Sequence, residues 1–276
     1  MCLRLNGTHR KKKKPRLFKV TRTDCRIQAV IFDLDDTLLD WSQQTDWLSN
    51  ISGPHIQKVY DYLAMNGKSL PTFDTLFQNY QEAIINSWQE AKKTWAGISF
   101  ETVLNRCFET SGLDTASINM QEVLLAYDWG PVPDVGLFDD TIPVLDSLQQ
   151  QGYKIGLVTN SMMSMWMRDI ELRAYGIVDY FDARITSGDT GHMKPHPAIY
   201  ERVLNLLDVE VETAVFVGDR PANDIAGANA VGLISVWMNP AHVEYDLGDV
   251  VPDYEITTLQ ELLPILAALE QSEKQE

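Results

Sequence analysis

Cysteine is scarce and scattered in this chain: Cys2, Cys25 and Cys107 are the three among 276 residues. That excludes a disulfide framework and a thiolate zinc site, and it fits a reducing compartment such as the cytoplasm. No apolar run approaches the ~20 residues that span a bilayer, and the N-terminal stretch lacks the apolar centre of a secretory signal. No internal repeat is visible. Basic surplus is missing too, except in one place. The formal net charge is −16, yet residues 1–28 hold ten Lys or Arg against the acid Asp24, which leaves −25 on the remainder. A body so acidic is a poor partner for nucleic acid. The run Lys11-Lys12-Lys13-Lys14-Pro15-Arg16 has the composition of a nuclear signal, a transit segment or an anionic-surface tether. Like-charge blocks are usually solvated, so residues 1–26 are expected to form an unstructured basic tail.

What is present is ample core material, 45% hydrophobic residues with seven Trp, enough for one sizeable domain plus a smaller one. The most informative stretch is Val30-Ile31-Phe32-Asp33-Leu34-Asp35-Asp36-Thr37-Leu38-Leu39. A short apolar run, residues 29–32, reads as a buried strand and breaks into acids that no apolar core accepts unpaired. In an extended chain Asp33 and Asp35 share one face. Their repulsion calls for a cation, and a hard divalent ion suits oxygen ligands. Residues 214–217 form a second apolar run ending in Gly218-Asp219, with Asp224 and Pro221 opening a small-residue helix. A third run, 154–158, ends in Thr159-Asn160-Ser161, whose hydroxyl, amide and backbone donors suit phosphate oxygens. Lys194 stands just before a helix marked by Pro195 and Pro197.

Residues 42 to about 133 read as helix throughout, over 45–65, 73–95, 100–111 and 116–127, with breaks at Gly67, Pro71, Gly97 and Gly112. From Asp139 helix and strand alternate: helices over 140–151, 162–175, 197–207, 221–231 and 259–269, strands over 154–158, 183–187, 214–218 and 233–238. Such alternation predicts an α/β fold, a doubly wound parallel sheet. Ligands collect beyond the carboxyl ends of such strands, so the acids should converge.

These motifs, Asp33-x-Asp35-x-Thr37, Thr159, Lys194 and Gly218-Asp219 with Asp224, occur in an order that resembles the haloacid dehalogenase-like (HAD) hydrolase superfamily, in particular its Mg²⁺-dependent phosphatases. The resemblance covers roughly residues 27–270. It implies a Rossmann-like core from 27–41 and 134–270, an inserted all-helical C1-type cap from 42–133, and a tail at 271–276. The linkers, around 39–43 and 129–133, would hinge. It further implies Asp33 as nucleophile, Asp35 as general acid/base, and Mg²⁺ held by Asp33, the Asp35 carbonyl, Asp219 and Asp224, the last directly or through water. Thr159, Asn160 and Lys194 would bind phosphate. The substrate would be a small phosphorylated metabolite and the protein a monomer or dimer, with no nucleic-acid or membrane partner.

Rival readings within this resemblance are a phosphomutase, a metal-free 2-haloacid dehalogenase and a non-catalytic binding protein. Asp35 speaks against the dehalogenase branch, which lacks that acid. The phosphonate-cleaving branch uses a cap lysine as a Schiff base, and Lys58, Lys68, Lys92 and Lys93 are the lysines available. Asp36 and Asp40 read as surface or turn residues, Thr37 as fixing its loop, and Asn160 and Ser161 side chains as helix caps. Arg220 is either a substrate contact or simply exposed. Trp41, Trp47, Trp88 and Trp95 either stack on a substrate or pack a core. His192 and His196 read as loop residues.

Overall fold

The computed structural model describes residues 26–44, 48–240 and 242–272. The basic run expected to be a tail lies outside them except for Arg26, as do Trp47 and residues 273–276. Strand β1 (Ala29–Phe32) is followed by a two-residue β2 (Leu39–Asp40) and a π turn, Leu48–Ser52. Four helices come next: α1 (Gly53–Met65), α2 (Phe73–Thr94), α3 (Phe100–Thr110) and α4 (Met120–Tyr127). The chain then alternates through β3 (Gly136–Leu137), α5 (Thr141–Gln150), β4 (Lys154–Thr159), α6 (Met165–Ala174), β5 (Ala183–Thr186) and the short α7 (Ser187–Thr190). It ends with α8 (Pro197–Leu207), β6 (Ala214–Gly218), α9 (Ala226–Val231), β7 (Ile234–Met238), β8 (Tyr254–Ile256) and α10 (Leu262–Ser272).

The main sheet has order β5-β4-β1-β6-β7-β8, and every pairing is parallel. This is the doubly wound α/β architecture the alternation predicts. All four residues of β1 are fully buried, because helices cover both faces. Val30 and Phe32 pack on the side of α5, α6 and α10; Ala29 and Ile31 pack against α8 and α9. On that second side Gly227 lets α9 close on α8, since a Cβ there would stand 2.3 Å from the Tyr200 hydroxyl.

Element ends differ from expectation for local reasons. Helix α1 starts at Gly53, where Pro54 occupies the first turn and suits a missing N–H. Helix α2 stops before Trp95, which adopts a left-handed φ of 55°. Helix α6 begins at Met165 rather than residue 162, because its first N–H donates to the Asp189 carboxylate at 2.6 Å. Residues 221–225 form a π turn before α9. Helix α10 runs to Ser272, two residues into the expected tail, and Arg26 pairs with Glu270 at 3.6 Å. Three strands are unanticipated: β8, and β2 with β3, which pair antiparallel where the chain leaves and re-enters the core.

The helical insert touches the core at a third place besides its two linkers. The α2–α3 turn lies against the loop before Lys194: Gly97 N–H donates to Gly191 O (2.9 Å), Met193 N–H to Trp95 O (2.9 Å), and Phe100 N–H to Met162 O (2.8 Å). A Cβ on Gly97 would sit 1.8 Å from Ser187 O, so only glycine permits this approach. The two linkers are therefore not the whole attachment of the insert to the core.

Candidate active site

Register brings the acids together. Phe32 pairs with Val217 on one side and Leu157 on the other, so Asp33 leaves the sheet level with Gly218 and Val158. Carboxylate oxygens of Asp33, Asp219 and Asp224 lie within 4.8 Å of one another, and all three residues are buried. Gly218 is what lets Asp224 fold back over the strand end, for a Cβ there would stand 2.5 Å from the Asp224 carboxyl carbon.

Lys194, 1% exposed, supplies the local counter-charge. Its Nζ lies 2.7 Å from Asp33 Oδ1 and 2.7 Å from Asp224 Oδ1, and donates to Val158 O at 2.9 Å. Burial alone would pull this ammonium down, but Asp224 and Asp33 more than offset it and leave it raised. Burial pushes Asp33 up to about 6 against the pull of Lys194. Asp219 is raised well above the carboxylate range, by burial first and then by Asp224 and Asp33. One ammonium does not neutralise three buried carboxylates.

The donor set fits a hard divalent cation. Asp219 Oδ1 is buried with no hydrogen-bond partner among the described residues, whereas its Oδ2 accepts from the Tyr245 hydroxyl at 2.6 Å. Asp224 is differently engaged: Oδ1 faces Lys194 and Oδ2 accepts the Arg220 N–H at 2.9 Å.

Asp35 stands apart from this cluster, its side chain 28% exposed toward a cleft of about 830 Å³ between core and helices. Its Oδ1 accepts from Trp41 Nε1 (3.0 Å) and Arg168 Nη2 (2.9 Å). Arg168 also pairs with the fully buried Glu171 (Nε to Oε2, 3.2 Å), which accepts from Trp129 Nε1 at 3.3 Å. Burial lowers Arg168, but Asp35 and Glu171 more than restore it, leaving it raised. Burial pushes Glu171 from 4.5 up to about 7, against the pull of Arg168. A carboxyl raised on folding binds protons more tightly in the native state, so stability falls as pH rises between those two values. At ~1.4 kcal/mol per pKa unit, Glu171→Gln is expected to flatten the decline of denaturation free energy between pH 5 and 7; an unchanged slope would contradict this environment.

The structure brings some of the sequence-predicted residues together and assigns others differently. Thr159 ends β4, and Lys194, Asp33, Asp219 and Asp224 gather beyond the carboxyl ends of the interior strands β1 and β6. Asn160, however, spends its side chain on the Lys194 backbone: Nδ2 donates to Lys194 O (3.0 Å) and Oδ1 accepts Lys194 N–H (2.8 Å). It is neither a side-chain phosphate donor nor a helix cap but a clamp between two loops. Ser161 likewise receives Met163 N–H rather than capping α6. The Thr37 hydroxyl is buried without a partner among the described residues. Asp36 is a turn residue, at φ 59°, but it also meets His242 Nε2 at 2.9 Å. Trp41 binds Asp35. His196 Nδ1 accepts Ala198 N–H at the start of α8. Lys58, Lys68, Lys92 and Lys93 are half-buried or exposed, so none is the desolvated amine a Schiff base needs. Arg168, Glu171, Tyr245 and His242 were not anticipated. Of these only Arg168 and Glu171 carry a signal, a three-residue spacing on one helix face.

Residues 27–232 match the haloacid dehalogenase-like hydrolase family. A glyceraldehyde 3-phosphate phosphatase of Methanopyrus kandleri is 30% identical over 250 residues, covering 88% of this chain and 98% of the relative. The fold resembles a HAD phosphatase from Thermococcus onnurineus (TM-score 0.56, 29% identity, 87% and 97% of the two chains). It equally resembles a 2-haloacid dehalogenase from Pseudomonas syringae pv. Tomato DC3000 (TM-score 0.59, 26% identity, 88% and 99%). Overall shape thus does not separate the two chemistries, but it agrees with the matched residues and the converging acids: this chain belongs to the haloacid dehalogenase-like hydrolases.

Proposed function

We propose that this hydrolase is a Mg²⁺-dependent phosphatase that cleaves the monoester of a small phosphorylated metabolite through an aspartyl-phosphate on Asp33. The observation that carries this reading is the separation of the two strand-end acids. Asp33 lies with Asp219, Asp224 and Lys194, while Asp35 is held outside that cluster by Arg168 and Trp41 with one oxygen directed to no protein partner among the described residues. That separation supports a reading in which one carboxylate attacks and the other moves protons.

Asp33 and Asp219 would hold the Mg²⁺ directly, together with the Asp35 carbonyl. Asp224, committed to Lys194 and the Arg220 N–H, would act from behind them. Bound there, the ion supplies charge neutralisation for the phosphoryl oxygens. Asp33 attacks phosphorus as the ester P–O bond breaks, and Asp35 gives its proton to the departing alcohol. Asp35 then takes a proton from water, which attacks phosphorus and frees the Asp33 carboxylate and inorganic phosphate. Lys194 and the backbone after Thr159 steady the transferred group, since phosphoryl transfer depends mostly on positioning and charge.

Residues 42–133 would serve as the cap over the leaving group. The cleft lining includes Trp88, Met162, Met163 and Ile85, the last 45% exposed. Exposed apolar surface beside a site is reserved for a ligand, and the cleft volume lies within the ~300–1,000 Å³ of small-molecule sites. A triose phosphate has no apolar face to offer this wall, so a larger, ring-bearing leaving group suits it better. The compartment would be the cytoplasm; among the described residues no helix is long and apolar enough to cross a membrane.

A screen of phosphorylated metabolites tests this. Phosphate release is expected with Mg²⁺ and not with chelator, and ring-bearing monoesters should be turned over faster than triose phosphates. Halide release from 2-haloacids that persists in chelator, without phosphate release, would defeat the assignment.

A further inference from the structure

The use of Arg168 raises a separate question. A guanidinium buried in the core beside a fully buried carboxylate is a costly arrangement. For stability alone, apolar side chains of similar volume serve as well or better. Two of the Arg168 nitrogens are turned to carboxylates of the protein: Nη2 is on Asp35 Oδ1 at 2.9 Å and Nε faces Glu171 Oε2 at 3.2 Å.

The remaining partners explain the expense. Trp41 follows β2 on the segment leading out to the helical insert; Trp129 follows α4 on the segment leading back. Each gives its indole N–H to one of the two carboxylates that flank Arg168, Trp41 to Asp35 (3.0 Å) and Trp129 to Glu171 (3.3 Å). Five side chains from three segments therefore form one chain: Trp41, Asp35, Arg168, then Glu171 with Trp129. Arg168 and Glu171 are three apart on α6, so the helix fixes their spacing, and Glu171 is too deeply buried to touch any ligand.

We propose that Arg168 is a positioning residue: it locks the Asp35 carboxyl in the orientation that protonates the leaving oxygen, and Glu171 with Trp129 makes that lock depend on correct seating of the return linker. This rests on the acid/base role of Asp35 given above. Removing the lock frees rotation of Asp35 and weakens proton delivery, while the Lys194 contact of Asp33 is kept.

Leaving-group dependence separates this from a strut or a phosphate ligand. kcat/KM reports steps only up to departure of the alcohol. An alkyl phosphate needs protonation there, whereas a nitrophenyl phosphate departs as a stable anion and does not. General acid catalysis contributes roughly 10²–10⁴-fold. Arg168→Lys is thus expected to lower kcat/KM for the alkyl ester on the order of 10²-fold, with a loss at least ~10-fold smaller for the nitrophenyl ester. Trp129→Phe, which deletes the N–H with its five-membered ring and keeps a six-membered one, should show the same selectivity at smaller size, and it keeps the idea testable if Arg168→Lys fails to fold. Equal losses on both esters, or a loss confined to KM, would overturn the proposal. Asp35→Asn is measured alongside. If it shows no leaving-group selectivity, the acid/base assignment fails; if it does and the Arg168 and Trp129 variants do not, only the positioning role fails.

Discussion

Asp33→Asn is expected to give a folded protein whose Mg²⁺-dependent phosphate release from a generic aryl phosphate falls on the order of 10⁴-fold or more, the scale seen when a nucleophile is removed. The amide has nearly the shape of the carboxylate, so packing at the end of β1 is preserved. Lys194 keeps Asp224 at 2.7 Å and Val158 O at 2.9 Å, so its charge is still compensated. What disappears is the attacking oxygen. With a nitrophenyl ester as that aryl phosphate, which departs as a stable anion, the loss cannot be credited to proton delivery by Asp35. Thermal melting confirms folding and a phosphate assay reads the chemistry. Near wild-type turnover would remove the aspartyl-phosphate from the mechanism.

Lys194→Met is expected to cost about 3–5 kcal/mol of folding free energy in metal-free protein, the range for breaking a buried ion pair from one side, and to abolish turnover. Total stabilities are about 5–15 kcal/mol, so the variant should sit near the edge of folding. The side chain is 1% exposed, and its ammonium is the cation nearest Asp33 and Asp224, besides lying 5.4 Å from the Phe216 ring centroid. Methionine fills much of the volume but leaves those carboxylates uncompensated. A divalent ion binding among them favours the native state, so Mg²⁺ should recover part of the loss. Denaturant titrations with and without Mg²⁺ measure both terms. Wild-type stability without metal would mean that Lys194 is not the counter-ion.

The core strands were legible because each is an apolar run buried on both faces, and three of them end in residues with no business in a core. Asp33 and Asp219 could be grouped for that reason, and the adjacency of β1 and β6 then brings their carboxylates together at one end of the sheet. Strands β2, β3 and β8 are two or three residues long, too short for any period to register. The role of the Asn160 side chain was hidden because it clamps a loop 34 residues away. Arg168 and Glu171 lie in Met-Arg-Asp-Ile-Glu, which reads as an ordinary solvated helix face, and only tertiary packing turns that face inward. Tyr245 reaches Asp219 from a loop after β7, and nothing local in its sequence announces the contact.

The α2–α3 turn seated on the segment before Lys194 has a bearing on how molecules enter. Together with the two linkers it makes a tripod, and a body resting on three feet does not swing like a clamshell without lifting one of them. Lifting this one would break the backbone bonds of Trp95, Gly97 and Phe100 together. Opening the cleft wide therefore means giving up these three bonds at once, whatever the two linkers allow.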